Sequence, residues 1–135
     1  MNELPENWTY PLIQPKLIEK YLRVKNNSII GATVTVTVDR PLGSYHPEYK
    51  DMYYPINYGY IEGVMAPDGE EQDAYILGVN EPVGKFTGKI IAIVHRKDDV
   101  EEKWVVVPDG MMFSKDEIRQ QIYFQEQYFD SEIVM

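Results

Sequence analysis

The chain has no cysteine, which excludes both a disulfide framework and a cysteine-ligated zinc site. It also lacks a long hydrophobic run. The longest apolar stretch, Ile90 to Val94, is far too short to cross a bilayer. The opening segment MNELPENWTYPLIQPK carries acids and prolines where a secretory leader needs a basic start and an apolar run. The expected compartment is therefore the cytoplasm. Basic residues are scarce, 13 Lys and Arg against 22 Asp and Glu, for a net charge of −9. Such a balance leaves little with which to neutralise nucleic-acid phosphates, so neither a nucleic-acid nor a membrane partner is expected. No glycine-rich phosphate loop and no serine or cysteine nucleophile motif is present.

What remains is an ordinary globular composition over 135 residues, enough for one domain with one core. Residues 1–30 read as an N-terminal extension in which Leu17, Ile18, Tyr21 and Leu22 recur at helical spacing after Pro15. From Thr33 to Val38 threonine and valine alternate strictly, the pattern of a strand with one wet face. Further strand-forming runs cover Met52 to Ile61, Asp73 to Val79, Lys89 to Arg96 and Lys103 to Val107. Short strands at this spacing favour a closed or partly closed antiparallel barrel. At the C-terminus, Ser114 and Glu117 form a capping box, and Ile118, Ile122 and Tyr123 with Gln125 to Phe129 form a helical stripe.

Three segments carry candidate chemistry. Asp68-Gly69-Glu70-Glu71-Gln72-Asp73 crowds carboxylates at a glycine turn just before a strand. Like charges so close together call for a countercharge, and hard oxygen ligands suit Mg²⁺ or Mn²⁺; the plain alternative is a solvated acidic turn. A second acidic patch, Asp98, Asp99, Glu101 and Glu102, precedes Lys103 and reads either as a solvated hairpin tip or as a partner of the first. The run Tyr53-Tyr54-Pro55-Ile56-Asn57-Tyr58-Gly59-Tyr60 suits strand packing, while its hydroxyls suit phosphate oxygens. His46 and His95 stand apart from any motif and read as structural or surface residues.

Taken together, these segments resemble the family I (soluble) inorganic pyrophosphatases over roughly residues 33–130. Tyr54-Pro55-Ile56-Asn57-Tyr58-Gly59-Tyr60 resembles that family's Tyr-Pro-x-Asn-Tyr-Gly-aromatic segment. Asp68 to Asp73 falls where the family has Asp-Gly-Asp-Pro-apolar-Asp. Asp98, Asp99, Glu101 and Lys103, followed by Trp104 to Pro108, resemble its second acidic loop. The resemblance implies a mainly β, OB-like five-stranded barrel with flanking helices, a pyrophosphate substrate and a homo-oligomer. It implies Mg²⁺ (Mn²⁺ as a substitute) on Asp68, Asp73 and Asp98, with Asp99 and Glu101 taking further metal. Glu70 would be the general base, and Lys103, Arg40, Tyr58 and Tyr128 the phosphate ligands.

The chain also departs from that pattern. Glu70 replaces the middle aspartate, Glu71 and Gln72 replace the proline and apolar residue, and Phe129 follows Tyr128 where a phosphate-binding lysine is expected. These changes make a weakened or retuned hydrolase the natural expectation. Two rivals stay open. One is a phosphohydrolase for another diphosphate; the other is a non-catalytic barrel docking a partner through Trp8, Tyr10, Leu17, Ile18 and Tyr21.

Overall fold

The computed structural model describes residues 29–97 and 101–135; the helix expected around Leu17 to Leu22 lies outside them. Six strands and one helix follow in the order β1 (Thr33–Arg40), β2 (Asn57–Met65), β3 (Glu71–Ile76), β4 (Lys85–Arg96), β5 (Glu102–Val107), α1 (Lys115–Glu126) and β6 (Ser131–Val134). The sheet runs β1-β2-β3-β5-β4-β6, and β1 also pairs with β4. Five strands thus close into an OB-like barrel, and β6 extends the far half of β4 outside the ring. Among the described residues no helix is long and apolar enough to cross a membrane.

The strands expected from the sequence are present, with three corrections. The ring is not wholly antiparallel, because β3 and β5 run parallel. A closed ring with an odd number of strands cannot alternate direction at every neighbour, so one parallel pair is unavoidable. The run from Met52 to Ile61 becomes a strand only from Asn57 onward, since Pro55 has no N–H to give a ladder; its first half makes one bridge, Tyr45 to Tyr53. The C-terminal stripe ends at Glu126 with Gln127 as its cap. Tyr128 and Phe129 therefore lie beyond the helix, in the turn that lets β6 reach β4, where Lys97 N–H bonds the Asp130 carbonyl at 2.8 Å.

Side-chain alternation splits the apolar residues into two cores. Val36, Ile61, Ala74, Ile76, Trp104 and Val106 form one cluster. The next residues along the same strands, Tyr75, Leu77, Val105 and Val107, join Tyr54, Tyr58, Ile118 and Ile122 in the other. The first fills the barrel; the second lies on its outer wall, where α1 packs. The helix begins as its sequence predicts. Ser114 Oγ accepts the Glu117 N–H at 3.1 Å, and Glu117 Oε1 accepts the Ser114 N–H at 2.8 Å.

The β1–β2 ladder slips between Val38 and Arg40, and Gly59 makes that close passage possible. A Cβ there would lie 2.8 Å from the Thr37 carbonyl carbon and 2.8 Å from Val38 Cα. Both are backbone atoms of a barrel strand and cannot swing aside. Gly59→Ala is therefore expected to destabilise the fold by about 2 kcal/mol or more, read as a lower denaturant midpoint. Gly84→Ala, where a Cβ meets nothing within 4 Å, is the matched control and should leave the midpoint nearly unchanged.

Candidate active site

The outer wall of the barrel, the end of α1 and the β1–β2 loop enclose a cleft of about 540 Å³. Parallel pairing of β3 and β5 sets Asp73 in register with Lys103, so the two acidic segments of the sequence do meet. Lys103 Nζ donates to Asp73 Oδ2 at 2.7 Å and also to Glu101 Oε2. The lysine is only 3% exposed. Burial works against its charge, but the oxygens of Tyr58, Asp73 and Glu101 outweigh burial and hold its pKa above the ordinary lysine value. It stays an ammonium throughout the neutral range. Burial pushes the Tyr58 phenol well above its usual pKa, so that side chain remains a hydroxyl donor.

Beside this pair sits Arg96, at the end of β4. Its Nε and Nη2 grip Glu126 at 3.1 and 2.8 Å, a two-pronged carboxylate contact. Nη1 reaches Glu101 Oε1 at 2.9 Å, and the guanidinium lies 3.6 Å from the centre of the Phe129 ring. Glu126 also accepts the Tyr75 hydroxyl at 2.5 Å and that of Ser131. Gln125 donates to Tyr75 Oη at 2.9 Å and accepts from Tyr54, whose oxygen takes a bond from Arg40 Nη1 at 3.0 Å. An unbroken hydrogen-bonded chain thus runs from Arg40 through Tyr54, Gln125, Tyr75, Glu126, Arg96, Glu101 and Lys103 to Asp73.

The structure places Arg40, Tyr58, Lys103 and Tyr128 together on the cleft wall, with Asp73 and Glu101 bonded to one of them. Asp68 and Glu70 are exposed on the turn before β3, where Asp68 Oδ1 accepts the Glu70 N–H at 3.0 Å and Gly69 takes φ of 88°; neither lines the cleft. Asp98 and Asp99 lie outside the described residues. The tyrosine run divides by position, Tyr54 and Tyr58 being buried while Tyr53 is exposed and meets Tyr45 edge to face. His46 does have a structural role, its Nδ1 accepting the amides of Glu48 and Tyr49, yet its ring also lines the cleft. His95 pairs with buried Glu102 at 3.1 Å. Sequence reasoning missed Arg96, Gln125 and Glu126; the available signals were a basic residue closing an apolar strand and an acid four residues after Ile122, on the face of Ile118 and Ile122.

Carboxylate oxygens are the donor type a hard divalent cation takes, but Asp73 and Glu101 both bond the Lys103 ammonium, which fills the point where they converge. Three cations, Arg40, Arg96 and Lys103, stand among four carboxylates, Asp73, Glu101, Glu126 and Asp39, the last close enough to feel both Arg40 and Asp73. A polyanion entering so acidic a site must bring positive charge with it. Among the described residues no three metal-ligating side chains gather round one point, so these residues supply a two-carboxylate nucleus.

An OB-like barrel carrying phosphate-type donors and paired carboxylates on its outer wall defines the class. The family model of inorganic pyrophosphatases matches residues 24–125, and the chain belongs to that family. It is similar to the inorganic pyrophosphatase of Halalkalibacterium halodurans, with 28% identity over 103 residues, 71% of this chain and 61% of the relative. The chain thus spans about three fifths of that relative's length. Solved inorganic pyrophosphatases share its fold. That of Ehrlichia chaffeensis has a TM-score of 0.58 at 19% identity, covering 76% of this chain and 85% of that one. That of Neisseria gonorrhoeae has a TM-score of 0.56 at 19% identity, covering 76% and 80%.

Glu126 is buried, and burial alone would raise its pKa. Its hydrogen bonds from Arg96, Ser131 and Tyr75 more than reverse that and hold it below the ordinary 4.5. A depressed carboxylate contributes stability that is present above the unfolded value and lost as pH falls through the folded one. The wild-type denaturant midpoint should therefore drop more steeply below pH 4.5 than that of Glu126→Gln. At pH 7 this variant should be about 3 kcal/mol less stable, because Arg96 loses its main partner. Parallel acid profiles of the two proteins would contradict the assignment.

Proposed function

We propose that this chain hydrolyses inorganic pyrophosphate to two phosphates in a Mg²⁺-dependent reaction, with Mn²⁺ as a substitute. The observation that carries the reading is the convergence of Arg40, Tyr58, Lys103 and Tyr128 on one cleft, with Asp73 and Glu101 bonded beside them. Family membership supports it.

Asp73 and Glu101 would hold the ion, joined by Asp68, Asp98 and Asp99. When bound, such an ion lowers the pKa of its water and neutralises phosphate charge. The remaining work falls to side chains. Lys103 and Arg40 donate to phosphoryl oxygens, where charge gathers as the bridging bond breaks. Tyr58 and Tyr128 add hydroxyl donors without adding charge. Glu70, on the exposed turn leading into β3 and off the cleft wall, would accept the proton of the attacking water, a role that rests on the family resemblance alone. Its extra methylene relative to aspartate keeps the base while shifting its reach, within a contribution of about 10²–10⁴-fold. A homo-oligomer in the cytoplasm belongs to the same reading, which rests on the family resemblance.

Phosphate release from pyrophosphate should stop with chelator and return with Mg²⁺. Asp73→Asn should lower kcat/KM by about 10²-fold or more while circular dichroism shows the barrel intact. Undiminished activity in that variant would remove Asp73 from the site.

A further inference from the structure

We infer that the same cleft accepts a diphosphate esterified to a planar aromatic group, of which a nucleoside diphosphate is the type, and cleaves its phosphoanhydride bond. This rests on the hydrolytic reading above and names the substrate class that the cleft walls suit.

Size is the first argument. A cleft of about 540 Å³ lies in the range that buries organic ligands of cofactor size. Free pyrophosphate has no apolar surface and makes no use of apolar walls. Yet His46, Tyr49 and Met52 from the β1–β2 loop, with Phe129 from the turn after α1, supply such walls. Tyr49 and Tyr128 remain 65% and 67% exposed at the opening. The His46 ring is held by two backbone amides and lies 4.8 Å from that of Tyr49. The two planes are tilted by 44°, so the exposed Tyr49 ring, backed by the fixed imidazole, offers one free aromatic face beside the cationic side chains for a base to stack on.

Charge is the second and independent argument. The three cations of the cleft are outnumbered by the carboxylates around them, Asp39 beside Arg40 included. Phe129 adds an apolar face and no charge, and it covers the Arg96 guanidinium at 3.6 Å. A diphosphate monoester has one ionisable oxygen fewer than pyrophosphate and carries a neutral group at its other end. It therefore asks less of a site short of positive charge and fills its uncharged side.

The chemistry balances without a further reagent. The water oxygen forms a bond to the terminal phosphorus, and the bridging P–O bond breaks with its electron pair on the departing phosphomonoester. The proton taken by the carboxylate base passes to solvent, and no redox change occurs.

The test uses the full chain with Mg²⁺ and three probes: ADP, methyl diphosphate and pyrophosphate. Phosphate and AMP are the products followed. ADP should be cleaved with kcat/KM at least equal to that for pyrophosphate and about tenfold above that for methyl diphosphate. Tyr49→Ala should lower the ADP-to-pyrophosphate ratio by about tenfold, and Phe129→Lys should shift the ratio the same way by restoring a cation. Cleavage of pyrophosphate alone would overturn the inference and leave the proposed function standing. Equal use of ADP and methyl diphosphate, or a ratio unmoved in Tyr49→Ala, would remove the aromatic group from recognition. Cleavage of none of the three would overturn both the hydrolytic reading and this one.

Discussion

The ion pair between Arg96 and Glu126 joins the C-terminal helix to the barrel wall. Its two parallel bonds tie the last turn of α1 to the end of β4, while Tyr75 from β3 and Ser131 from β6 close on the same carboxylate. Both partners are nearly sealed from water, at 4% and 6% exposure. A lone charge at that depth is costly, so the pair holds together or the region yields. Through Glu101 the guanidinium also sets the surroundings of Lys103. The phosphate-type donors of the cleft depend on this clamp although it is not itself a phosphate site.

Why the clamp falls beside the cleft follows from barrel geometry. On β3, Ala74 and Ile76 point into the ring, so Asp73 and Tyr75 point out; on β5, Trp104 and Val106 point in, so Lys103 and Val105 point out. Parallel pairing aligns Asp73 with Lys103, and the antiparallel β4–β5 pair brings Arg96 past Glu102 to the same rim. The helix covers the outer wall only as far as Glu126, which leaves the neighbouring wall open as a cleft. Cleft-facing polar groups and core residues thus alternate along the same strands.

Much of this architecture was legible beforehand. The Thr/Val alternation of residues 33–38 could only be a strand with one buried face, and β1 is one. Ser114 and Glu117 announced the start of α1 because a capping box is made by residues three apart. The four residues of β6 escaped notice since so short a segment carries no period; its pairing with β4 is a tertiary event. The run from Met52 to Ile61 read as one strand, whereas the strand begins only at Asn57, after Pro55. At the site, the acidic segments and Lys103 were visible as local crowding, whereas Arg96, Gln125 and Glu126 were not. Each of these reads as an ordinary polar residue on its own element, and only packing turns it inward.

The sequence by itself determined the barrel class, the start of its helix and the family whose motifs it carries. These follow from patterns within a few residues, where backbone geometry and side-chain period act directly. Tertiary structure alone decided that the carboxylates of two distant segments share one ammonium, that an arginine lies on Phe129, and that aromatic rings wall one side of the cleft. Those outcomes depend on strand register and on where the helix stops, quantities set by closing the whole ring and not by any segment within it.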